Sequence, residues 1–327
     1  MADSVAEFMQ KPVTRYASGF EAIKARNTLV NAFAASHKNK DEQNVFNALV
    51  SAAMKTETGC ETMTALSKLG YSVTFEQGDF SGSCEPVDRK IVINPVYGFE
   101  NALTTLIHEG THAVQASVQS ADSPMLQEMR AAALLKDRRA MEADAVAHET
   151  AFIYECKDVL PSVYRYAQKT NRKTFQAYNA EMEKTGDPKR AMQATFVAWY
   201  QDDSFRDYYD QVFKKNFKDM AAWGKENGYN GCFKKDLPSA EIVKKCRYHG
   251  EAYVPESFLE KEKAFSMKQE DKREIADITR DYAHHFGEVA DYSVLSMHDR
   301  APAAEAAPAQ NRISVPLRNV ALKNAGR

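Results

Sequence analysis

No run of apolar residues in this chain approaches the roughly 18 that a membrane-crossing helix needs, so no transmembrane helix is expected. The opening residues, Met1-Ala2-Asp3-Ser4-Val5-Ala6-Glu7-Phe8, have neither a basic start nor an apolar stretch behind it. No signal peptide is therefore expected, and the cytoplasm is the default location. An excess of either charge is also lacking. With 43 Lys and Arg against 45 Asp and Glu, the net charge is −2, which gives no electrostatic case for nucleic acid or an anionic membrane as partner. Cysteine is sparse: Cys60, Cys84, Cys156, Cys232 and Cys246 are odd in number, scattered, and never C-x-x-C. They read as reduced thiols, not a disulfide framework.

What is present is the composition of a soluble globular protein, long enough at 327 residues for one large domain or two modest ones. Residues 17–36 and 41–69 read as helices. In the second, Phe46, Leu49, Val50, Ala53 and Met54 keep helical spacing, and Gly70 is a stop. The period changes at Tyr71. Strands are expected at about 71–76 and 89–94, with a shorter one near 80–86, and Pro95 ends the last. A free edge on the 89–94 strand would suit pairing with an extended peptide. A plain supporting sheet accounts for the pattern equally well. After a short polar loop at 120–122, Ser123 and Pro124 suggest a helix start, running from Met125 to about Asp158 with a break near 136–139. Further helices are expected around 175–184, 188–213 and 256–286. The aromatic series Phe196, Trp199, Tyr200, Phe205, Tyr208, Tyr209 and Phe213 reads as core.

One stretch carries chemistry. Leu106-Ile107-His108-Glu109-Gly110-Thr111-His112-Ala113-Val114-Gln115 contains H-E-x-x-H. Residues i and i+4 share a helix face, so His108 and His112 can both present a ring nitrogen to one Zn²⁺. Glu109 stands where it can reach water held by the ion, the general-base position of this motif. Leu103, Ile107, Gly110 and Val114 form a separate apolar stripe, and no proline interrupts 99–118. Two histidines on an ordinary helix would produce the same five letters, so a third ligand has to decide.

Thirty residues after His112 comes an acidic cluster, Glu142-Ala143-Asp144-Ala145, with His148 and Glu149 beyond it. Asp144 and His148 share one face, while Glu142, Val146 and Glu149 share another. The residues alone leave Glu142, Asp144 and His148 open as the third ligand. The pattern H-E-x-x-H-A-x-Q over 108–115, followed by E-A-D-A over 142–145, resembles the gluzincin branch of zinc metallopeptidases. More narrowly, it resembles an uncharacterised bacterial metallopeptidase family that carries both patterns. The resemblance covers about residues 70–157 and not the flanking helices. It implies one zinc ion, peptide-bond hydrolysis of a peptide or protein substrate, and a glutamate on the second helix as third ligand. That glutamate maps to Glu142, with Asp144 and then His148 as alternatives. Thermolysin-like gluzincins carry an aspartate four residues after this glutamate, where Val146 stands here. Asp144, if not a ligand, is expected to accept the spare N–H of a ligand histidine.

The fold expected on these grounds is mainly α (α+β): a zincin-like core with a small β-sheet beside the active-site helix, flanked by helical segments. The expected division is an N-terminal helical segment 1–69, a metallopeptidase core 70–160, a helical region 161–300 packed on the core, and a disordered Ala/Pro and basic tail 301–327. Cys232, Cys246 and His249 do not reach a zinc-finger spacing, and Tyr248, His249 and Tyr253 are polar-loop candidates for stabilising an oxyanion. His284 and His285 are expected at the surface. Two rival functions fit the same sequence: a zinc-stabilised binding module without catalysis, and a helical structural protein whose motif is accidental.

Overall fold

A computed structural model describes residues 19–118, 123–170, 172–261 and 266–289. The expected tail 301–327 lies outside them, as do the 120–122 loop and the chain's opening residues. The fold is mainly helical with small sheets. The described residues fall into two compact units, one of 19–117 with 144–198 and one of 118–143 with 199–289.

The first unit opens with helices α1 (Phe20–Ser36), α2 (Lys40–Ala53) and α3 (Glu57–Leu69). The single helix expected over 41–69 is thus two. Thr56 ends the run by capping α3, its hydroxyl accepting from Gly59 N at 3.1 Å. Gly59 is required at this corner, because a Cβ there would lie 2.1 Å from the Ala53 carbonyl oxygen. At the other end Gly70 adopts φ 72°, a left-handed helix stop.

Three short strands follow: β1 (Ser72–Phe75), β2 (Gly82–Glu85) and β3 (Lys90–Ile93). β3 is the middle strand, parallel to β1 with Val73 opposite Ile91, and antiparallel to β2 with Gly82 opposite Ile93. Both its edges are used, so the free edge expected for the 89–94 strand belongs instead to β1 and β2 among the described residues. Asn94 turns the chain out of the sheet. Its side-chain N–H groups donate to the Gly78 and Phe80 carbonyls at 2.7 and 2.9 Å, and its oxygen caps the 3₁₀ turn Pro95–Tyr97. Helix α4 (Phe99–Ser117) then runs through the middle of this unit, packed by α2, α3, β2 and β3, with Leu103, Leu106 and Ile107 fully buried. A Cβ on Gly110 would meet Thr62 Cγ2 at 2.4 Å, so the glycine sets the close approach of α3 and α4.

Helix α5 is continuous over Ala131–Val159. It starts later than the Ser123–Pro124 signal suggests. Glu128 folds back on Met125 N in a 3₁₀ turn at Leu126–Glu128, and Met129 and Arg130 pair with Lys235 in extended form. The expected break near 136–139 does not occur. The stretch has no Gly or Pro, and two of its four charges are buried in pairs: Asp137 with Lys245, and Arg139 with Asp210. Helices α6 (Pro161–Thr170), α7 (Lys173–Thr185) and α8 (Pro188–Gln201) complete the first unit, α5 and α8 each crossing the division.

The second unit contains α9 (Asp203–Glu226), capped by the Asp202 carboxylate, then α10 (Ser239–Val243), the hairpin β4 (Arg247–Tyr248) and β5 (Glu251–Ala252), α11 (Glu256–Leu259) and α12 (Gln269–His285). The helix expected over 256–286 is therefore two separate ones. Of the aromatic series, Phe196, Trp199, Tyr200, Tyr209 and Phe213 are buried, as expected of core. No described helix is long and apolar enough to cross a membrane.

Candidate metal centre

His108 and His112 project from one face of α4, their ring centroids 4.9 Å apart and the ring planes at 81°. Glu142 reaches them from α5. One ligand-type atom from each of His108, His112 and Glu142 lies within 4.8 Å of the others. Glu142 stands just before the point where α5 passes into the first unit, on the same uninterrupted helix as Asp144 and Glu149. Two ligands held tetrahedrally at about 2.0–2.2 Å from one ion lie roughly 3.3–3.5 Å apart, closer than the 4.8 Å that bounds these three atoms. Two imidazoles and a carboxylate, with a fourth position left over, make a donor set that suits a metal ion. Among the described residues no other three His, Cys, Asp or Glu side chains form such a group.

The other nitrogen of each ring is held by a different device. His112 Nδ1 is 2.8 Å from Gln115 Oε1, and Gln115 Nε2 donates to Asp144 Oδ2 at 2.7 Å. A carboxylate only accepts, so the amide must turn its NH₂ to Asp144 and its oxygen to the ring. His112 Nδ1 then carries the proton, and Nε2 keeps the lone pair a metal needs. Asp144 was expected to accept a ring N–H itself; here it accepts from the Gln115 amide, whose oxygen meets His112. Its second oxygen lies 3.6 Å from His148 Nε2, so the two alternative third-ligand candidates face each other. His108 Nδ1 lies 3.5 Å from Glu149 Oε2, and the other oxygen of Glu149 accepts from Arg172 Nη1 at 3.3 Å. Burial alone would push the Glu149 carboxyl up, but the Arg172 guanidinium and then His108 outweigh it and hold it below the usual carboxylate range.

Glu109 is fully buried, at 0 % exposure. Strand β2 passes directly beside it: a Cβ on Gly82 would sit 3.1 Å from Glu109 Cγ. The buried Cys84 thiol on the same strand is pushed up first by burial and then by the Glu109 charge. The Tyr208 hydroxyl is pushed up by burial and by Glu142. The sequence assigned no role at the site to Glu149, Arg172 or Gly82, and Tyr208 was read as core. A signal existed only for Glu149, which repeats the Glu142 face two turns on. Tyr248 and Tyr253 are buried in the second unit, and His249 is exposed at the tip of the β4–β5 hairpin, with φ 49° beside Gly250 at φ 79°. Cys232 and Cys246 are buried free thiols, and all five cysteines are free. His284 and His285 are exposed at the end of α12.

A family model described as "Putative metallopeptidase family (DUF6782)" matches residues 22–222. The match spans more than half of the chain, which therefore belongs to that family, a family of metallopeptidases by its description. It reaches well beyond the 70–157 stretch that carries the motifs and takes in α1–α3 and most of α9. No curated protein and no solved structure matches the chain.

Proposed function

We propose that this protein hydrolyses peptide bonds in a peptide or protein substrate with one zinc ion held by His108, His112 and Glu142, in the gluzincin manner. The observation that carries the reading is the convergence of those three side chains within 4.8 Å, with Glu109 next to His108 on the same helix. A zinc ion at such a site lowers the pKa of water toward about 7 and polarises a carbonyl. The chain's own residues supply the rest. Gln115 and Asp144 fix the tautomer of His112, so its Nε2 lone pair faces the site. Glu109 takes the proton from the attacking water at a carboxylate oxygen and passes it to the leaving amine. Its low-dielectric surroundings keep that proton from solvent.

The test is metal content with a paired activity measurement. Purified protein should carry one zinc per chain, and Glu109→Gln should keep the zinc while hydrolysis of a verified substrate drops by about 10²–10⁴. Full metal-dependent activity in Glu109→Gln would overturn the mechanism, and failure to take up zinc would overturn the whole reading. The complete burial of Glu109 favours a second reading, a metal-stabilised binding module without catalysis. In that case chelation or His108→Ala would lower the melting temperature, while wild type would cleave nothing in a broad peptide library.

A further inference from the structure

We propose that Glu149, braced by Arg172, is the positioning residue for His108 and through it a determinant of metal affinity. This rests on the zinc reading above. Seven residues separate Glu142 from Glu149, two turns of α5, so both carboxylates leave the helix on one face. One turn after Glu142 that face carries Val146, which offers nothing to a ring N–H. Glu149 is the next residue on the face that can, and it reaches His108 Nδ1 at 3.5 Å.

A carboxylate with a single long contact could rotate away. Glu149 is held at both oxygens instead, Oε2 toward His108 and Oε1 on the guanidinium of Arg172 at 3.3 Å. The side chain is buried, where a carboxylate needs charged or donating partners, and two different elements provide them. Arg172 stands at the N-terminal boundary of α7, so its placement does not depend on the turn of α5 that carries Glu149. The carboxylate is thereby fixed from outside its own helix. His108 Nδ1 is turned to it, and Nε2 toward His112 and Glu142. The two histidines are then oriented independently, His112 by an amide relay and His108 by an ion-paired carboxylate.

The experiment is zinc affinity of metal-stripped full-length protein, measured by competition with a chromogenic chelator, alongside melting of the same metal-free samples. Glu149→Ala should weaken zinc binding by about 10–100-fold, the usual cost of losing such a partner. Glu149→Gln keeps the shape and one acceptor oxygen and should fall between Glu149→Ala and wild type. Arg172→Ala should weaken binding less than Glu149→Ala does. With cobalt in place of zinc, the visible absorption of Glu149→Ala should differ from wild type, a signature that loss of packing alone would not give. Val146→Ala, on the same face, should leave affinity unchanged. Wild-type affinity in a folded Glu149→Ala or Glu149→Gln protein overturns this inference and leaves the zinc reading standing. If wild type itself takes up no zinc, both fall.

Discussion

Gly82→Ala tests the placement of Glu109 without touching a ligand. A methyl group at this position would lie 2.4 Å from Thr105 Cγ2, 2.9 Å from the Val92 carbonyl oxygen and 3.1 Å from Glu109 Cγ. Carbon atoms in contact prefer about 3.5–4.0 Å, so the first contact is more than an ångström too close. The Val92 oxygen belongs to the middle strand, which is paired on both sides and cannot yield cheaply. The strain therefore passes to α4, where Thr105 and Glu109 lie one turn apart. Overpacking of this kind costs about 1–3 kcal/mol. In a chain of this size each kcal/mol moves the melting temperature by roughly 2–4 °C, so calorimetry should register a drop of about 2–12 °C. Because the displaced side chain is the proposed base and not a ligand, hydrolysis should fall by a larger factor than zinc affinity. A Gly82→Ala protein with the melting temperature and turnover of wild type would refute this packing of β2 against α4.

Gln115→Ala takes the donor from the buried Asp144 carboxylate and the acceptor from His112 Nδ1; chelator competition should show zinc affinity lower by about 10–100-fold, and an unchanged value would sink the relay. In the second unit, Arg139 and Asp210 form a fully buried pair with contacts of 2.7, 2.8 and 3.1 Å, and Arg139 also donates to the Ser266 carbonyl at 2.8 Å. Arg139→Met alone should cost about 3–5 kcal/mol in urea unfolding, whereas Arg139→Met with Asp210→Leu should recover much of it, because a buried carboxylate that has lost its guanidinium is the main penalty. Equal losses in the single and double variants would contradict that account. The Glu128 carboxyl would be raised by burial, but Lys235, Tyr229 and the Met125 N–H together hold it below its ordinary value of 4.5. A folded-state pKa below the unfolded one stabilises above pH 4.5 and loses that stability as pH falls through the folded value. The stability gap between wild type and Glu128→Gln should accordingly shrink from pH 6 down to about pH 3, and a gap that widened would reverse the sign.

The motif was legible because it is local. Spacing of i and i+4 puts His108 and His112 on one face whatever surrounds the helix, and Gln115, three residues on, follows from the same period. The corner at Thr56 was readable only as a lapse in the apolar spacing, with Met54 and Met63 nine residues apart; the Thr56 cap and the Gly59 contact with Ala53 make the turn. Strand order was hidden for a different reason. The parallel pairing of β1 with β3 leaves β2 to pack on the far side of β3, and nothing within any one strand encodes that choice. Glu149 and Arg172 come from separate helices 23 residues apart, so no local pattern links them.

The choice between Glu142 and Asp144 shows why a helix wheel could not decide the third ligand. Two residues apart, they point roughly 200° from each other, and only one was expected to face α4. Ala145 lies inside the narrower arc between them, roughly 160° wide, and is fully buried. Glu142 and Asp144 then reach α4 from opposite flanks. The contacts His108 with Glu149 and Gln115 with Asp144 run in opposite directions along the two helices, so α4 and α5 are antiparallel. On one flank stand the carboxylates Glu142 and Glu149, one beside the histidine Nε2 positions and one on His108 Nδ1. On the other, Asp144 works through Gln115. Two histidines on an ordinary helix would have no reason to find both spare nitrogens met by acceptors from one neighbouring helix or its relay. That double match, more than the five letters of the motif, is what favours a metal site on α4 over an accidental H-E-x-x-H.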